Sequence, residues 1–249
     1  MNKIDFTNSD IHIDDLDHHT RKDPHQQASA FSDIILGGQD GLVNVLGVIL
    51  GVAAATGDAY VIMVAGLAAT FAESVSMAAV AYTSTIADAD YYESEREREY
   101  RHIQEVPNLE REEIRSIYAA KGFSGDLLKR IVDTITASPD VWVAVMMSEE
   151  LQLQPVNRRT ALRSAIIVGI AAIIGSLIPL VPFLIVPVSL GILLSIGLST
   201  LVLFIVGAVK ARMTVGHPGK SGLEMAVIGT ISALVGFAVG LLLKVPATN

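Results

Sequence analysis

Two carboxylates lie inside stretches of the chain that are long and apolar enough to cross a lipid bilayer. Asp40 occurs in SDIILGGQDGLVNVLGVILGVAAA, and Glu73 occurs in YVIMVAGLAATFAESVSMAAVAY. An ionisable side chain at membrane depth is costly to insert, so it usually faces the interior of a helix bundle or an ion pathway. The pair therefore indicates a membrane protein that handles cations.

Each of these carboxylates has a second candidate ligand one helical turn away. Asn44 follows Asp40 by four residues and would act as a neutral ligand or an orienting group. Met77 follows Glu73 by four residues, and a thioether beside a carboxylate suits a first-row transition ion better than Ca²⁺ or Mg²⁺. The predicted transport pathway therefore comprises Asp40, Asn44, Glu73 and Met77.

Small residues accompany Asp40 along the first apolar stretch. Gly37, Gly47 and Gly51 recur with Asp40 and Asn44 at steps of three or four residues, which places all five on one helical face. Glycines at this spacing let two membrane helices approach closely. We expect this face to meet a second helix, either of the same chain or of a symmetry mate.

A second set of candidate ligands lies in the polar segment 88–157. Proline and glycine residues divide it into a helix that continues from the second span to about residue 102 and helices at about 109–121, 125–137 and 139–153. Candidate ligands recur as pairs on single helical faces: Glu99 with His102, Glu110 with Glu113, and Met146 with Glu150. These residue types together could bind several divalent ions. The Glu- and Arg-rich run 93–97 by itself is typical of a solvated, salt-bridged surface.

Composition supports a membrane protein. The chain is 51% hydrophobic and 18% charged, with a mean hydropathy of +0.49, which is unusual for a soluble domain. Fifteen of the 26 Asp and Glu residues lie in residues 88–157 and seven in residues 1–33. The net charge of −8 therefore belongs to polar segments that could bind cations, and it argues against a nucleic-acid partner. With no cysteine, thiolate metal sites and disulfides are excluded.

The apolar stretches predict an all-α integral membrane protein with five transmembrane helices, because only helices satisfy their own backbone in lipid over such long runs. The predicted spans are about 34–56, 60–86, 161–181, 185–208 and 223–243. The predicted domains are a polar tail (1–33), spans one and two (34–87), a cytosolic helical metal-binding domain inserted between helices 2 and 3 (88–157), and spans three to five (158–249).

Lys and Arg residues predict the orientation of the spans. Eleven of the 18 lie between residues 96 and 163, three lie in the N-terminal tail, and three lie between the fourth and fifth spans. Cytosolic connections carry such an excess of positive charge. The N-terminus and the segment 88–157 are therefore predicted to be cytosolic and the C-terminus to lie on the other side. The N-terminus lacks the features of a signal peptide, so the first span is expected to insert by itself.

The chain resembles the vacuolar iron transporter family over about residues 32–240. The resemblance rests on the Asp-Gly pair at Asp40 and Gly41, the Ser-Met pair at Ser76 and Met77, and the long charged insertion between the second and third spans. It implies a five-span dimeric carrier that moves Fe²⁺, and often Mn²⁺, out of the cytosol in exchange for protons. It also implies that the insertion is a cytosolic metal-binding domain of helices.

The resemblance assigns roles to particular residues, with two departures from the family pattern. The metal ligands that it implies are Glu99, Glu110, Glu113, Met146 and Glu150. His102 stands where the family usually has another Glu, and a neutral imidazole gives a less anionic, more acid-sensitive site. The intramembrane Glu of the family corresponds to Ala69, eight residues before Met77. We expect Glu73, on nearly the same helical face, to take over that role.

These features predict a transporter of Fe²⁺, or of Mn²⁺, Zn²⁺ or Co²⁺, with no prosthetic group. Its expected partners are the bilayer, protons and a second copy of the chain. Two alternatives remain. Glu99 and His102 have the Glu-x-x-His spacing of ferritin-like di-iron oxidases, although the sequence has no second such motif, and a membrane-anchored sensor or buffer would bind metal without transporting it. No phosphate-binding loop or Ser/His/Asp arrangement supports a kinase or a hydrolase.

Targeting motifs are missing from the chain, which leaves a prokaryotic plasma membrane or a vacuole-type membrane as the location, and we expect the former. The N-terminal tail contains four histidines that stand outside the family resemblance: His12, His18, His19 and His25. A polar stretch of this composition at a chain end is typical of disorder, and weak metal scavenging is its alternative role.

Overall fold

The computed structural model describes residues 27–214 and 216–244, and every regular element in those ranges is helical. In chain order the helices are α1 (Gln27–Thr56), α2 (Ala59–Glu105), α3 (Pro107–Ala120), α4 (Gly125–Thr136), α5 (Pro139–Val145), α6 (Thr160–Leu177), α7 (Val181–Ile185), α8 (Val188–Met213) and α9 (Pro218–Leu242). A π-helical turn at Met146–Glu150 extends α5, and a 3-10 turn at Ile178–Leu180 joins α6 to α7. The histidines of the N-terminal tail lie outside the described residues.

Five helical stretches in the described residues are long and apolar enough to cross a membrane: Ala30–Thr56, Ala59–Glu105, Thr160–Ile185, Val188–Met213 and Pro218–Leu242. The predicted all-helical class and the five spans are therefore confirmed. The last helix begins at Pro218 rather than near residue 223. Proline is favoured in the first helical turn because its missing N–H would have no partner there.

The chain divides into two compact units. The first, here called the membrane unit, contains the described residues up to Ala79 and from Ser164 onward. The second, here called the polar unit, is Val80–Arg163. Helix α2 is continuous through both units: its first half supplies the second span and its charged second half belongs to the polar unit.

Glycines hold the helices of the membrane unit close together. A Cβ at Gly240 of α9 would lie 2.0 Å from the backbone oxygen of Gly51 in α1, and a Cβ at Gly236 would lie 2.1 Å from that of Gly47. Backbones this close leave no room for a side chain, which is how small residues drive helix association in lipid. Val45, together with its buried neighbours on α1, fills the core beside this contact.

The glycines of α1 pack against other helices of the same chain. Gly37 and Gly41 pack against α6, where an added Cβ would lie 2.2 Å and 2.4 Å from the backbone oxygens of Val168 and Ala172. Asp40, between these two glycines, is half-buried. One face of α1 thus serves two purposes, since the glycines bind neighbouring helices and the polar residues between them keep some exposure.

A glycine and an aspartate make the turn between α1 and α2. Gly57 has a φ of +66°, which favours glycine. The Asp58 carboxylate accepts hydrogen bonds from the backbone N–H groups of Tyr60 (2.8 Å) and Val61 (3.2 Å). These contacts satisfy two of the free donors at the start of α2. Asp58 is therefore a capping residue.

The polar unit has its own apolar core. It includes Ile114 of α3, Val132 of α4, and Trp142 and Met146 from α5 and the π-helical turn. The sequence predicted one helix over 139–153, but the α-helix ends at Val145 and helical structure ends at Glu150. The wider turn is closed by a hydrogen bond from the Leu151 N–H to the Met146 carbonyl (3.1 Å). Met146 and the next residue, Met147, are both fully buried as a result.

We predict that Gly240→Ala destabilises the membrane unit whereas Gly197→Ala does not. The added methyl group at residue 240 meets the backbone of Gly51, so unfolding should become easier by about 1–3 kcal/mol. A Cβ at Gly197, in the middle of α8, meets nothing within 4 Å and raises helix propensity by up to about 1 kcal/mol. Thermal melts of the two purified variants in detergent, followed by circular dichroism, provide the comparison. Equal melting temperatures would show that α1 and α9 are not in close contact.

Candidate functional site

Three predicted ligands meet in the polar unit. Glu99 and His102 of α2 and Glu110 of α3 each offer one ligand atom, and these atoms lie within 4.8 Å of one another. His102 Nδ1 is 3.4 Å from Glu110 Oε1 and 3.7 Å from Glu99 Oε1. Two carboxylates and an imidazole at these separations could bind one divalent transition ion. We call this group the acidic cluster.

A tight turn between α2 and α3 brings these ligands together. Helix α2 ends at Glu105 and α3 begins at Pro107, so a single residue reverses the chain direction. The turn is closed by a hydrogen bond from the Val106 N–H to the His102 carbonyl (2.8 Å). Glu110 lies in the first turn of α3, and the reversal places it opposite the last two turns of α2.

Two oxygens of the acidic cluster are buried without a hydrogen-bond partner among the described residues: Oε2 of Glu99 and Oε2 of Glu110. Glu99 is 5% exposed and Glu110 is 3% exposed. Burying a charged group without a partner is strongly unfavourable, so each carboxylate requires either a proton or a cation. Burial, and after it the charges of Glu113 and Glu99, raises the pKa of Glu110 to about 7.

Two further predicted ligands surround the acidic cluster. Glu113 lies close enough to Glu110 for its charge to raise the pKa of Glu110. Glu150 is largely exposed, yet its pKa is raised by partial desolvation of its carboxylate and then by the nearby charges of Glu113 and Glu99. The last predicted ligand, Met146, is fully buried in the apolar core of the polar unit. The structure thus brings the five polar candidates together and places the thioether in the core.

The sequence analysis missed Glu95. The run 93–97 was predicted to be a solvated surface, but Glu95 is 6% exposed and its carboxylate accepts a hydrogen bond from Arg98 (3.0 Å). It lies one turn before Glu99 on the same face of α2. Its four-residue spacing from Glu99 was the signal that could have identified it. The predicted salt-bridged surface is confirmed at Glu93, which forms an exposed ion pair with Arg96 (2.9 Å).

A hydrogen bond between distant parts of the polar unit holds α2 beside α5. The Tyr100 hydroxyl donates to the Asp140 carboxylate over 2.6 Å. Tyr100 follows the ligand Glu99 in α2, and Asp140 lies in the first turn of the helix that leads to Met146 and Glu150. The contact therefore links the elements that carry the first and last predicted ligands.

The membrane unit brings three of its four predicted pathway residues together. The Asn44 amide donates to the Asp40 carboxylate over 3.2 Å, and the Glu73 side chain interacts with both. Asp40 and Glu73 are half-buried and Asn44 is exposed. The sequence has no Lys or Arg between residues 23 and 95, so neither α1 nor the first half of α2 supplies a cation to these carboxylates. We call the two carboxylates, Asp40 and Glu73, together with the Asn44 amide beside them, the membrane carboxylate pair.

The remaining residues on this face of α2 support the same arrangement. Met77 is half-buried one turn beyond Glu73. Thr70 is fully buried, and its hydroxyl donates to the Gly66 carbonyl (2.8 Å). Ala69, which stands at the family's intramembrane Glu position, packs against the apolar core of the membrane unit. Within α2, Glu73 is thus the acidic residue one turn from Met77.

We predict that the metal-free polar unit loses stability as the pH rises from 4.5 to 7. The pKa of Glu110 is about 7 in the folded chain against 4.5 when unperturbed, so folding favours its protonated form. The stabilisation is complete below pH 4.5 and is lost as the pH rises through 7. Trp142, the single tryptophan of the chain, is buried in this unit, so its fluorescence during thermal melts in chelator reports the effect.

Glu110→Gln should reduce this pH dependence, because the amide carries no charge at any pH in the window. A smaller slope should remain, since the pKa values of Glu99 and Glu150 are also raised. Glu112→Gln is the matched control. It lies in the same helix, but its side chain is 67% exposed and pairs weakly with Arg115 at 3.9 Å. A slope in Glu110→Gln equal to that of the wild type would show that Glu110 is not the group responsible.

Comparison with known proteins extends over both groups of residues. The sequence profile of the VIT family matches residues 31–241. Vacuolar iron transporter 1 of Arabidopsis thaliana is 32% identical over 224 residues, which is 89% of this chain and 89% of the relative. Vacuolar iron transporter 2 of Oryza sativa subsp. japonica is 33% identical over 89% of this chain and 90% of the relative. The vacuolar iron transporter of Plasmodium falciparum is 29% identical over 85% of this chain and 81% of the relative. The chain belongs to the VIT family.

Proposed function

We propose that this protein is a divalent metal transporter that moves Fe²⁺, with Mn²⁺ as a second substrate, out of the cytosol in exchange for protons. Its membership of the VIT family, and relatives whose names say that they transport iron, support a transporter rather than an enzyme. The observation that carries the proposal is the membrane carboxylate pair, which combines two carboxylates and an amide in helices long and apolar enough to cross a membrane.

The proposed exchange follows from charge neutrality. Two carboxylates in contact within a low-dielectric region repel each other unless a proton or a cation lies between them. A metal ion and protons therefore compete for Asp40 and Glu73, because ligand carboxylates must be deprotonated to bind metal. Asn44 would orient Asp40 or add a neutral oxygen ligand, and Met77 would add a sulfur ligand that favours a transition ion. Protons from an acidic far side would release the metal there.

The polar unit would collect metal on the cytosolic side. The proposed ligands are Glu99, His102, Glu110, Glu113, Met146 and Glu150, of which the first three form the acidic cluster. The unpartnered buried oxygens of Glu99 and Glu110 support this role, since a bound ion would neutralise both. The imidazole of His102 reduces the negative charge of the site relative to a set of carboxylates alone.

The proposed topology follows the distribution of Lys and Arg. The N-terminus and the polar unit would lie in the cytosol and the C-terminus on the opposite side. The relatives are named for a vacuole. For this chain we propose the plasma membrane of a prokaryote.

A homodimer would complete the pathway. Asp40, Asn44 and Val48 follow one another at four-residue steps along α1, and the first is half-buried while the other two are exposed. An exposed amide and a partly exposed carboxylate on a membrane helix are costly if they face lipid. A second copy packed along α1 would remove them from lipid and line one route between the subunits.

Two other functions can be distinguished from transport by experiment. A ferroxidase would use the Glu99 and His102 pair, but ferritin-like oxidases need a second Glu-x-x-His motif that the sequence lacks. A sensor or buffer would bind metal in the polar unit and show no flux. Fe²⁺-dependent oxygen consumption would identify the first, and metal binding without transport would identify the second.

We predict that Asp40→Ala abolishes Fe²⁺ flux into proteoliposomes while metal binding by the acidic cluster is unchanged. The substitution removes one of the two carboxylates proposed to bind the ion on its way across the membrane, and it leaves the acidic cluster intact. Glu224→Ala is the matched control, since this other carboxylate of the membrane unit is 62% exposed and pairs with Lys220 at 4.0 Å. An acidic lumen should accelerate wild-type flux, and flux of Asp40→Ala at the wild-type rate would contradict the proposed pathway.

We predict that the Glu110→Gln, Glu113→Gln double variant weakens Fe²⁺ or Mn²⁺ binding at least about tenfold in Kd, or roughly 1.4 kcal/mol. The two substitutions remove one member of the acidic cluster and the neighbouring carboxylate whose charge raises its pKa. Calorimetric titration of the full chain in detergent is the measurement. Flux at saturating metal should fall much less than flux at low metal. Unchanged Kd would exclude the acidic cluster as the collecting site.

A further inference from the structure

We propose that the membrane unit holds an anionic phospholipid, with an acyl chain in a groove formed by α1, α6 and α8. The groove has a volume of about 510 Å³, within the range of pockets that hold small molecules. Apolar side chains from all three helices line it, among them Ile34, Leu42, Ile170, Ile174, Val202 and Val209. Gln39 is the polar exception among the lining residues.

The groove is separate from the membrane carboxylate pair. On α1 its lining includes Ile35, Gly38 and Leu42, which recur at helical spacing on one face. Asp40 lies roughly 140–160° around the helix from each of them, at 100° per residue. A ligand in the groove would therefore lie on the far side of α1 from the proposed ion pathway.

The shape of the groove comes from a close contact between two glycines. A Cβ at Gly175 of α6 would lie 2.0 Å from the backbone oxygen of Gly38 in α1, so the two backbones touch at the floor. The larger side chains of Ile34 and Ile174 rise on either side of this contact and are 52% and 60% exposed. The result is a furrow with an apolar floor and flexible apolar walls, which suits an alkyl chain.

Two cations stand at one end of the groove. Lys210 follows the lining residue Val206 by four positions, and Arg212 follows Val209 by three, so both lie within one turn of the groove on α8. Both side chains are exposed, and over residues 27–214 and 216–244 no carboxylate lies within 4.0 Å of either. Basic pockets between membrane helices bind anionic lipid head groups.

An anionic phospholipid fits both the apolar groove and the two cations at its end. Its alkyl chain would occupy the apolar furrow, and its phosphate would reach Lys210 and Arg212. The N-terminal residues 1–26 of the chain are rich in Asp and His and lack an apolar stretch of the required length. A second copy of the chain fits the groove less well, because an apolar helix of that copy would also have to carry an acidic residue to the two cations.

The test is competitive lipid binding by the full chain. The purified protein is mixed in detergent with phosphatidylglycerol and phosphatidylcholine of identical acyl chains, and bound lipid is counted by native mass spectrometry. We expect phosphatidylglycerol to be preferred, and each of Lys210→Ala and Arg212→Ala to reduce the preference about fivefold. Lys220→Ala is the matched control because this exposed lysine pairs with Glu224 at 4.0 Å.

A second pair of variants tests the furrow itself. Ile174→Trp fills the groove and should abolish retention of both lipids, whereas Ile166→Trp, which is 52% exposed on the same helix outside the lining, should leave retention unchanged. Equal binding of the two lipids by the wild type would overturn the proposal, and so would equal retention by the two tryptophan variants. Loss of a dimer in Ile174→Trp alone would assign the groove to a second copy instead.

Discussion

A carboxylate shielded from water, with no Lys or Arg paired to it, must take up either a proton or a metal ion. This constraint applies in both units of the chain. In the polar unit, Glu99 and Glu110 each keep a buried oxygen without a partner. In the membrane unit, Asp40 and Glu73 interact with each other and with Asn44. Arrangements of this kind destabilise a protein that has no ligand, so their presence in two separate units favours cation binding over a structural role.

Short turns and close contacts between helices position these carboxylates. A one-residue reversal between α2 and α3 places Glu110 against Glu99 and His102. The capped turn at Gly57 and Asp58 sets the start of α2, and Glu73 follows on the same helix as Glu99. Glycine contacts then hold α1 against α6 and α9. Because these contacts are between backbones, they hold α1 close to both neighbouring helices.

Much of this could be predicted from sequence because it depends on local pattern. Long apolar runs predicted five spans, and helical spacing paired Glu99 with His102 and Asp40 with Asn44. What failed depended on tertiary contacts. The π-helical turn places two consecutive methionines in the core, and no helical periodicity of the sequence indicates such a turn. Glu95 appeared solvated because it sits in a charged run, although the packing of α2 buries it. The glycines of α1 could equally have met another chain.

The two groups of carboxylates differ in a way that suits different tasks. The acidic cluster combines two carboxylates and an imidazole, with the carboxylates of Glu113 and Glu150 around it, and Glu110 has a pKa of about 7, so occupancy of such a site by metal should respond to small changes of pH near neutrality. The membrane carboxylate pair offers fewer ligands and keeps partial exposure on α1. A site rich in ligands binds an ion tightly, and a site with few ligands releases it readily. That difference is what a protein needs if one unit is to collect a dilute ion and the other is to let it pass.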